Sequence, residues 1–287
     1  MTERVALVGS ERGLRVDPDL PLAVAALGDA GYEVDLVRWD DADVDWSGFD
    51  LAVVRSCWDY AWRRAEFLSW AESVPRLRNG GALLRWNTDK TYLRDLERAG
   101  LPVVPTVWNP VHPDDLPAAG EWVVKPSVSA GSRDTARWSD ASAALDHAAQ
   151  LTAAGRTAML QPYVTSVDDE GETAMLYLGG HFSHAVRKGA LLVPGEGVRH
   201  DRESRGDLSR VQSTAAQRDV ADAVFAAIGD LVGGAPVPLY ARIDLVHDQA
   251  GHPVVLELEL TEPSLFLPQA PEAAAALARA VEAELQQ

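Results

Sequence analysis

The sequence predicts a mixed α/β and α+β fold, with an open α/β unit at the N-terminus and antiparallel, hairpin-bearing units after it. Three observations carry this. The apolar run Val5 to Gly9, helix-spaced apolar residues from Leu20 to a Gly31 stop, and the run Glu33 to Val37 form a β-α-β opening. Near the other end, Leu239 to Phe266 holds two β-type runs, Tyr240 to Val246 and Pro253 to Leu260, around the turn-forming His247 to Gly251. Finally, 287 residues at 47% hydrophobic content suffice for one large domain or two to three small ones.

Composition narrows the partners. A formal charge of -17 with scattered Lys and Arg argues against nucleic acid, whose phosphates are held by clustered basic residues. No apolar run approaches a membrane span, and the start does not read as a signal peptide. Cys57 is the single cysteine, so there is no disulfide framework, and a cytoplasmic protein is expected. A basic pocket within so acidic a chain would mark an anionic ligand.

After the β-α-β opening, Phe49 to Val54 reads as a third buried strand. Arg55, Asp59 and Tyr60 follow at its carboxyl end, where open α/β sheets gather ligands; the alternative is a helix cap and a surface pair. Arg63 to Val74 is expected to be helical and Ala82 to Leu84 a short strand. Asn87 or Thr88 then caps a helix ended by Gly100, with Lys90 in its first turn. A cation there opposes the helix dipole, so it either meets an anion or lies exposed.

Glu121 to Lys125 is a strand running into a loop of Ser, Ala and Gly that reaches Ser132. A lysine beside exposed amides suits phosphates, although a plain flexible turn has the same composition. Asp140 to Ala154 is an alanine-rich helix, and Ala158 to Val164 a strand broken at Pro162, freeing backbone groups near Gln161 and Tyr163. Asp168 and Asp169 precede Gly171-Glu172, which opens the strand Thr173 to Tyr177; His181 to Arg187 is the next. The polar, Gly-rich stretch from Gly189 to Asp207 carries Arg199, His200, Arg202 and Arg205 and reads as a lid. Gln212 to Val232 and Pro271 to Leu285 are helices.

On the C-terminal hairpin, side chains two apart share a face. A register pairing Asp244 with Glu257 would set Arg242, Asp244, Glu257 and Glu259 on one side, and Ile243, Leu245, Leu256, Leu258 and Leu260 on the other. Clustered acids repel one another unless a cation joins them, and rigid oxygen donors suit Mg²⁺. The alternative is an amphipathic hairpin whose acids face water. The exit Thr261 to Ser264, with proline before serine, is a tight turn whose amides can face a ligand.

Taken in order, DK (89–90), VVKP and its loop (124–132), LQPYV (160–164), GE (171–172), ARIDLV (241–246) and LELELTEPS (256–264) resemble the ATP-grasp ligases, over about two hundred residues. The last segment is most similar to the glutathione-synthetase and RimK-like branch. VVRSCWDY and ELELTEPSLFL further resemble the small ATP-grasp proteins typified by the ligase of D-cycloserine biosynthesis. The resemblance implies an ATP-grasp fold with an N-terminal open α/β domain (1–85), a first subdomain (86–165) and a C-terminal subdomain bearing a Mg²⁺-binding hairpin (166–287).

It also implies roles. Lys90, Lys125 and Ser132 would meet the phosphates of ATP, Gln161, Tyr163 and Val164 the adenine, and Asp168 or Asp169 the ribose, with Glu172 beside them. Arg242 and Lys125 would act on the transferred phosphoryl group, and Asp244, Glu257 and Glu259 would bind Mg²⁺. Arg55, Asp59, Tyr60, Arg187, Arg199 and Ser264 would hold a small amino-acid-type substrate. Glu259 stands where this family commonly has Asn, which adds a negative charge.

The implied reaction is amide formation, within one molecule or between two, through an acyl phosphate made with ATP. Two rivals stand beside it: a metal-dependent hydrolase on the same carboxylates, and an ATP-binding regulator that has lost catalysis. Oligomeric state is open, a homodimer included. A catalytic triad is not supported, because neither Cys57 nor any serine has an ordered His-acid context.

Overall fold

A parallel sheet and two antiparallel sheets meet around one cleft; the computed structural model describes residues 2–198, 200 and 207–286. The parallel sheet has the order β2-β1-β3-β4, from β1 (Arg4–Gly9), β2 (Glu33–Arg38), β3 (Leu51–Val54) and β4 (Leu77–Arg78). Helices α1 (Glu11–Val16), α2 (Leu20–Asp29) and α3 (Arg64–Ser73) accompany it. Both faces are covered, so β1 is apolar from Val5 to Val8. Val5 and Leu7 pack with Leu20 and Leu27 of α2, while Ala6 and Val8 pack with Phe67 and Leu68 of α3.

Next come α4 (Gly81–Asn87) and α5 (Tyr92–Arg98), which correct the expected strand at Ala82 to Leu84. Leu83 and Leu84 are buried from a helix. Asn87 closes α4 instead of capping α5, and its side chain bonds the backbone of Leu258 and Leu260 at 2.8 and 2.7 Å. Lys90 falls in the link between the helices, not in a first turn, and its N–H donates to the Ser127 carbonyl at 2.8 Å.

The second sheet is ordered β5-β8-β6-β7, from β5 (Val107–Trp108), β6 (Trp122–Pro126), β7 (Ala136–Trp138) and β8 (Ala158–Pro162). Helix α6 (Ala141–Ala153) covers one face; its N-cap Asp140 accepts from the Ala143 N–H at 2.8 Å. Val124 and Leu160 pack beneath it, and alternation turns Val123 and Lys125 toward the cleft.

After α7 (Ser166–Glu170), the third sheet is ordered β11-β10-β9-β12-β13, from β9 (Glu172–Leu178), β10 (His181–Lys188), β11 (Leu208–Val211), β12 (Tyr240–His247) and β13 (Pro253–Glu259). Helix α8 (Ala215–Leu231) packs against one face of it and α9 (Ala273–Leu285) closes the core shared with the parallel sheet. The helix expected from Gln212 starts at Ala215, after a capping box of Thr214 and Gln217. No helix among the described residues is long and apolar enough to cross a membrane.

Hairpin register follows the expectation, with Asp244 opposite Glu257 and Arg242 opposite Glu259, until a bulge sets Leu245 opposite Val255. The bulge revises one face assignment: Val255 joins Ile243, Leu245, Leu258 and Leu260 in the core, and Leu256 turns to the cleft. Side chains from distant elements hold the hairpin backbone. Asn79 bonds Leu239, Tyr240 and Leu260 at 2.8, 3.0 and 2.7 Å, and the Tyr92 hydroxyl accepts from Leu258 N–H at 2.9 Å. Asp19 accepts from Leu265 and Leu267 N–H at 2.6 and 2.8 Å, tying the exit turn to the start of α2.

Candidate active site

A cleft of about 750 Å³ opens between the three sheets. Its floor is the polar end of the hairpin. Arg242 reaches Asp244 through two nitrogens at 2.9 and 3.0 Å and also binds Glu259. Burial alone would raise the Asp244 carboxyl, but Arg242 and Lys188 outweigh it and hold it below the usual carboxylate range. For Glu259 burial dominates, with the Glu257 and Asp244 charges adding to it against Arg242, and its pKa is pushed up to about 7.

Lysines close the site from other elements. Lys188 lies 2.5 Å from Glu172 and 2.7 Å from Asp244. Lys90 lies 3.1 Å from Glu257 and 3.0 Å from the Ser129 carbonyl. Lys125 is only 8% exposed, and its side chain has no hydrogen bond or ion pair among the described residues. Burial draws its pKa down, helped by Lys90 and Lys188, and Glu257 does not compensate. Gly171 makes room at this corner, since a Cβ there would come within 2.3 Å of the Lys188 carbonyl.

The structure brings most of the sequence-derived residues to the cleft: Lys90, Lys125, Ser132, Gln161, Tyr163, Val164, Glu172, Arg242, Glu257, Glu259, Asp59, Tyr60 and Ser264 all line it. Gln161 is fixed by a 2.9 Å bond to Thr106. Others are elsewhere. Asp168 is taken up by Arg137 at 2.9 and 3.0 Å and by the Tyr163 hydroxyl at 2.5 Å, and neither it nor Asp169 lines the cleft.

Two substrate assignments are corrected. Arg55 is 1% exposed and lies behind the exit turn, bonded to the Pro263 carbonyl at 2.9 Å and 3.7 Å from Asp19. Arg187 binds the carbonyls of Glu170 and Asp169 at 2.5 and 2.8 Å, away from the cleft. Adjacent side chains on a strand face opposite ways, so its neighbour Lys188 is the one that enters. Arg199 lies outside the described residues, as do Arg202 and Arg205; His200, from the same stretch, is 2.7 Å from Asp134.

Sequence reading also missed Glu262 and the N-terminal wall of Ser10, Arg12 and Trp58. Cys57 is buried, and burial raises its thiol pKa well above normal, which agrees with a structural cysteine.

The donor set suits a hard cation, yet its carboxylates are shared with basic residues. Both Asp244 oxygens are engaged by Arg242 and Lys188, whereas Glu257 and Glu259 are each bound through one oxygen, Oε1. Among the described residues no preassembled group of three such ligands stands ready for an ion. Glu257 and Glu259, two apart on one strand face, are the pair whose second oxygens fit Mg²⁺; Asp244 fits better as the anchor of Arg242.

A sequence model described as the D-cycloserine synthetase DcsG N-terminal domain matches residues 5–79. The cycloserine biosynthesis protein DcsG of Streptomyces lavendulae is 40% identical over 283 residues, with 92% of each chain covered. The crystal structure of D-cycloserine synthetase DcsG superposes with a TM-score of 0.89 at 37% identity, covering 98% of this chain and 99% of that one. The D-alanine–D-alanine ligase of Bacillus anthracis complexed with ATP matches at a TM-score of 0.70 and 15% identity, over 100% of this chain and 98% of that one, a likeness of fold.

Proposed function

The chain belongs to the ATP-grasp ligases, in the family of the cycloserine biosynthesis protein DcsG, and from that membership we propose that it closes a small amino-acid derivative into a ring, as in cycloserine formation. It is an ATP-dependent ligase that forms C–N bonds. In the proposed reaction a substrate carboxylate oxygen attacks the γ-phosphorus of ATP and ADP leaves. An amine nitrogen of the same molecule then attacks the acyl carbon, losing a proton as phosphate departs.

The observation that carries this reading is Lys125, a buried lysine on the wall of the cleft whose side chain makes no hydrogen bond or ion pair among the described residues and whose burial Glu257 does not offset. A polyphosphate is the kind of group that restores its charge balance. On this reading Lys90 and Lys125 hold the phosphates, and Arg242 with Lys188 offsets charge on the moving phosphoryl group. Gln161, Tyr163 and Val164 face the nucleobase, and Asp59, Tyr60 and Ser264 the amino-acid end. Glu257 and Glu259 would hold Mg²⁺, which supplies further charge neutralisation when bound. Residues 1–85, 86–165 and 166–287 act as substrate-side, nucleotide-covering and metal-bearing units, in the cytoplasm where ATP is available.

The test is ADP release across amino acids, dipeptides and amino-acid derivatives, with product mass recorded. A product lighter than its substrate by one water, with no second substrate present, supports cyclisation. ADP release only when a separate amine is supplied would reject it in favour of an intermolecular ligase. Phosphate release without ATP would favour the hydrolase.

A further inference from the structure

The carboxylates that line the cleft are almost all spoken for. Asp59 accepts from Trp39 at 2.9 Å and from Arg63 at 3.4 Å, Glu172 holds Lys188 at 2.5 Å, Glu257 holds Lys90 at 3.1 Å, and Glu259 binds Arg242. Glu262 is different: it lines the same cleft, is 8% exposed, and its carboxyl takes no hydrogen bond or ion pair among the described residues. An acid so placed is costly to bury unless a donor comes to it.

We infer that Glu262 recognises the amino group of the substrate, a role that rests on the ligase reading and extends it. The cleft's basic residues serve anions, which leaves a bound amino acid's ammonium to find an acceptor of its own. Residues two apart span at most about 7 Å of chain, so Glu262 and Ser264 lie close enough for one small molecule to meet both. Ser264 is next to the arginine of the hairpin, its carbonyl accepting from Arg242 at 3.3 Å.

The position is also rigid. The Tyr240 hydroxyl donates to the Thr261 carbonyl at 2.9 Å, Arg55 to the Pro263 carbonyl at 2.9 Å, and Trp58 to the Glu262 carbonyl at 3.4 Å. Burial, reinforced by the Glu259 charge against the opposing pull of Lys90, raises the Glu262 pKa well above normal. A site built to pair a substrate N–H discriminates strongly against the analogue that lacks it.

The experiment compares binding of D- and L-serine and D- and L-alanine with the matching hydroxy acids, glycerate and lactate, by calorimetry in the presence of ADP and Mg²⁺. Wild-type protein is expected to prefer an amino acid over its hydroxy acid by about ten- to hundredfold. Glu262→Gln should erase that preference by weakening the amino acid alone, and Glu262→Asp should restore part of it. ADP affinity and the melting midpoint report that the variants are folded. No preference in the wild type, a preference kept in Glu262→Gln, or equal weakening of both acids would overturn the assignment. ADP release by the wild type, followed separately, tells failure of this role from failure of the ligase reading.

Discussion

Lys90 Nζ lies 3.1 Å from Glu257 Oε1 and 3.0 Å from the Ser129 carbonyl, so one ammonium joins the hairpin to the loop after β6. Burial would lower its pKa, but Glu257 outweighs that and the lysine stays charged. Lys90→Met removes both contacts and, on the proposed reading, a phosphate ligand. ADP release is expected to fall by about a hundredfold or more. Turnover near the wild-type rate would exclude Lys90 from the nucleotide site.

Lys125 should behave in the opposite sense for stability. Its ammonium is buried with no hydrogen bond or ion pair among the described residues, and Glu257 does not offset the burial, so the folded protein bears a desolvation penalty that Met would not. Lys125→Met is expected to raise the melting midpoint without nucleotide by a few degrees, while ADP release drops by about a hundredfold. Thermal melts with and without ATP check this; a lower midpoint in the apo variant would show that the lysine has a structural partner.

How much of this was legible in the sequence depends on how local each determinant is. The hairpin register could be read because period-two alternation places Asp244 and Glu257 on one face, and a slip of one residue would turn them into the apolar core. The bulge at Leu256 was not visible, since Val255 and Leu256 are equally apolar and the choice is made by the core above them. Leu83 and Leu84 suit a strand as well as a helix, and short apolar runs do not decide between the two. Arg187 and Lys188 are adjacent bases, and only the pairing of β10 with β9 says which points inward. Arg55 was misread because its partners, Asp19 and Pro263, come from distant parts of the chain.

Asn79 tests what holds the hairpin. Its buried side chain satisfies Leu239 N–H at 2.8 Å and the carbonyls of Tyr240 and Leu260 at 3.0 and 2.7 Å. Asn79→Ala leaves these backbone groups unpaired in the core, at about 2–4 kcal/mol. Urea unfolding should show a lower midpoint at unchanged slope. A loss under about 0.5 kcal/mol would mean the backbone finds other partners.

His147 gives the chain an acid-sensitive term. It is 4% exposed on α6, with Nδ1 3.1 Å from the Trp138 indole nitrogen, and burial pulls its pKa from 6.5 down to about 4. The folded state therefore keeps the ring neutral while the unfolded state takes up a proton as pH falls through 6.5. The unfolded chain binds more protons in that window, so stability is complete above it and declines as pH drops toward 4, where the decline ends. The full loss is on the order of 3 kcal/mol. Denaturant melts from neutral pH downward should show this slope in the wild type and a shallower one in His147→Gln, which has no such proton to bind. Identical slopes in the two proteins would mean that the histidine titrates normally in the fold, and that the acid sensitivity comes from other groups.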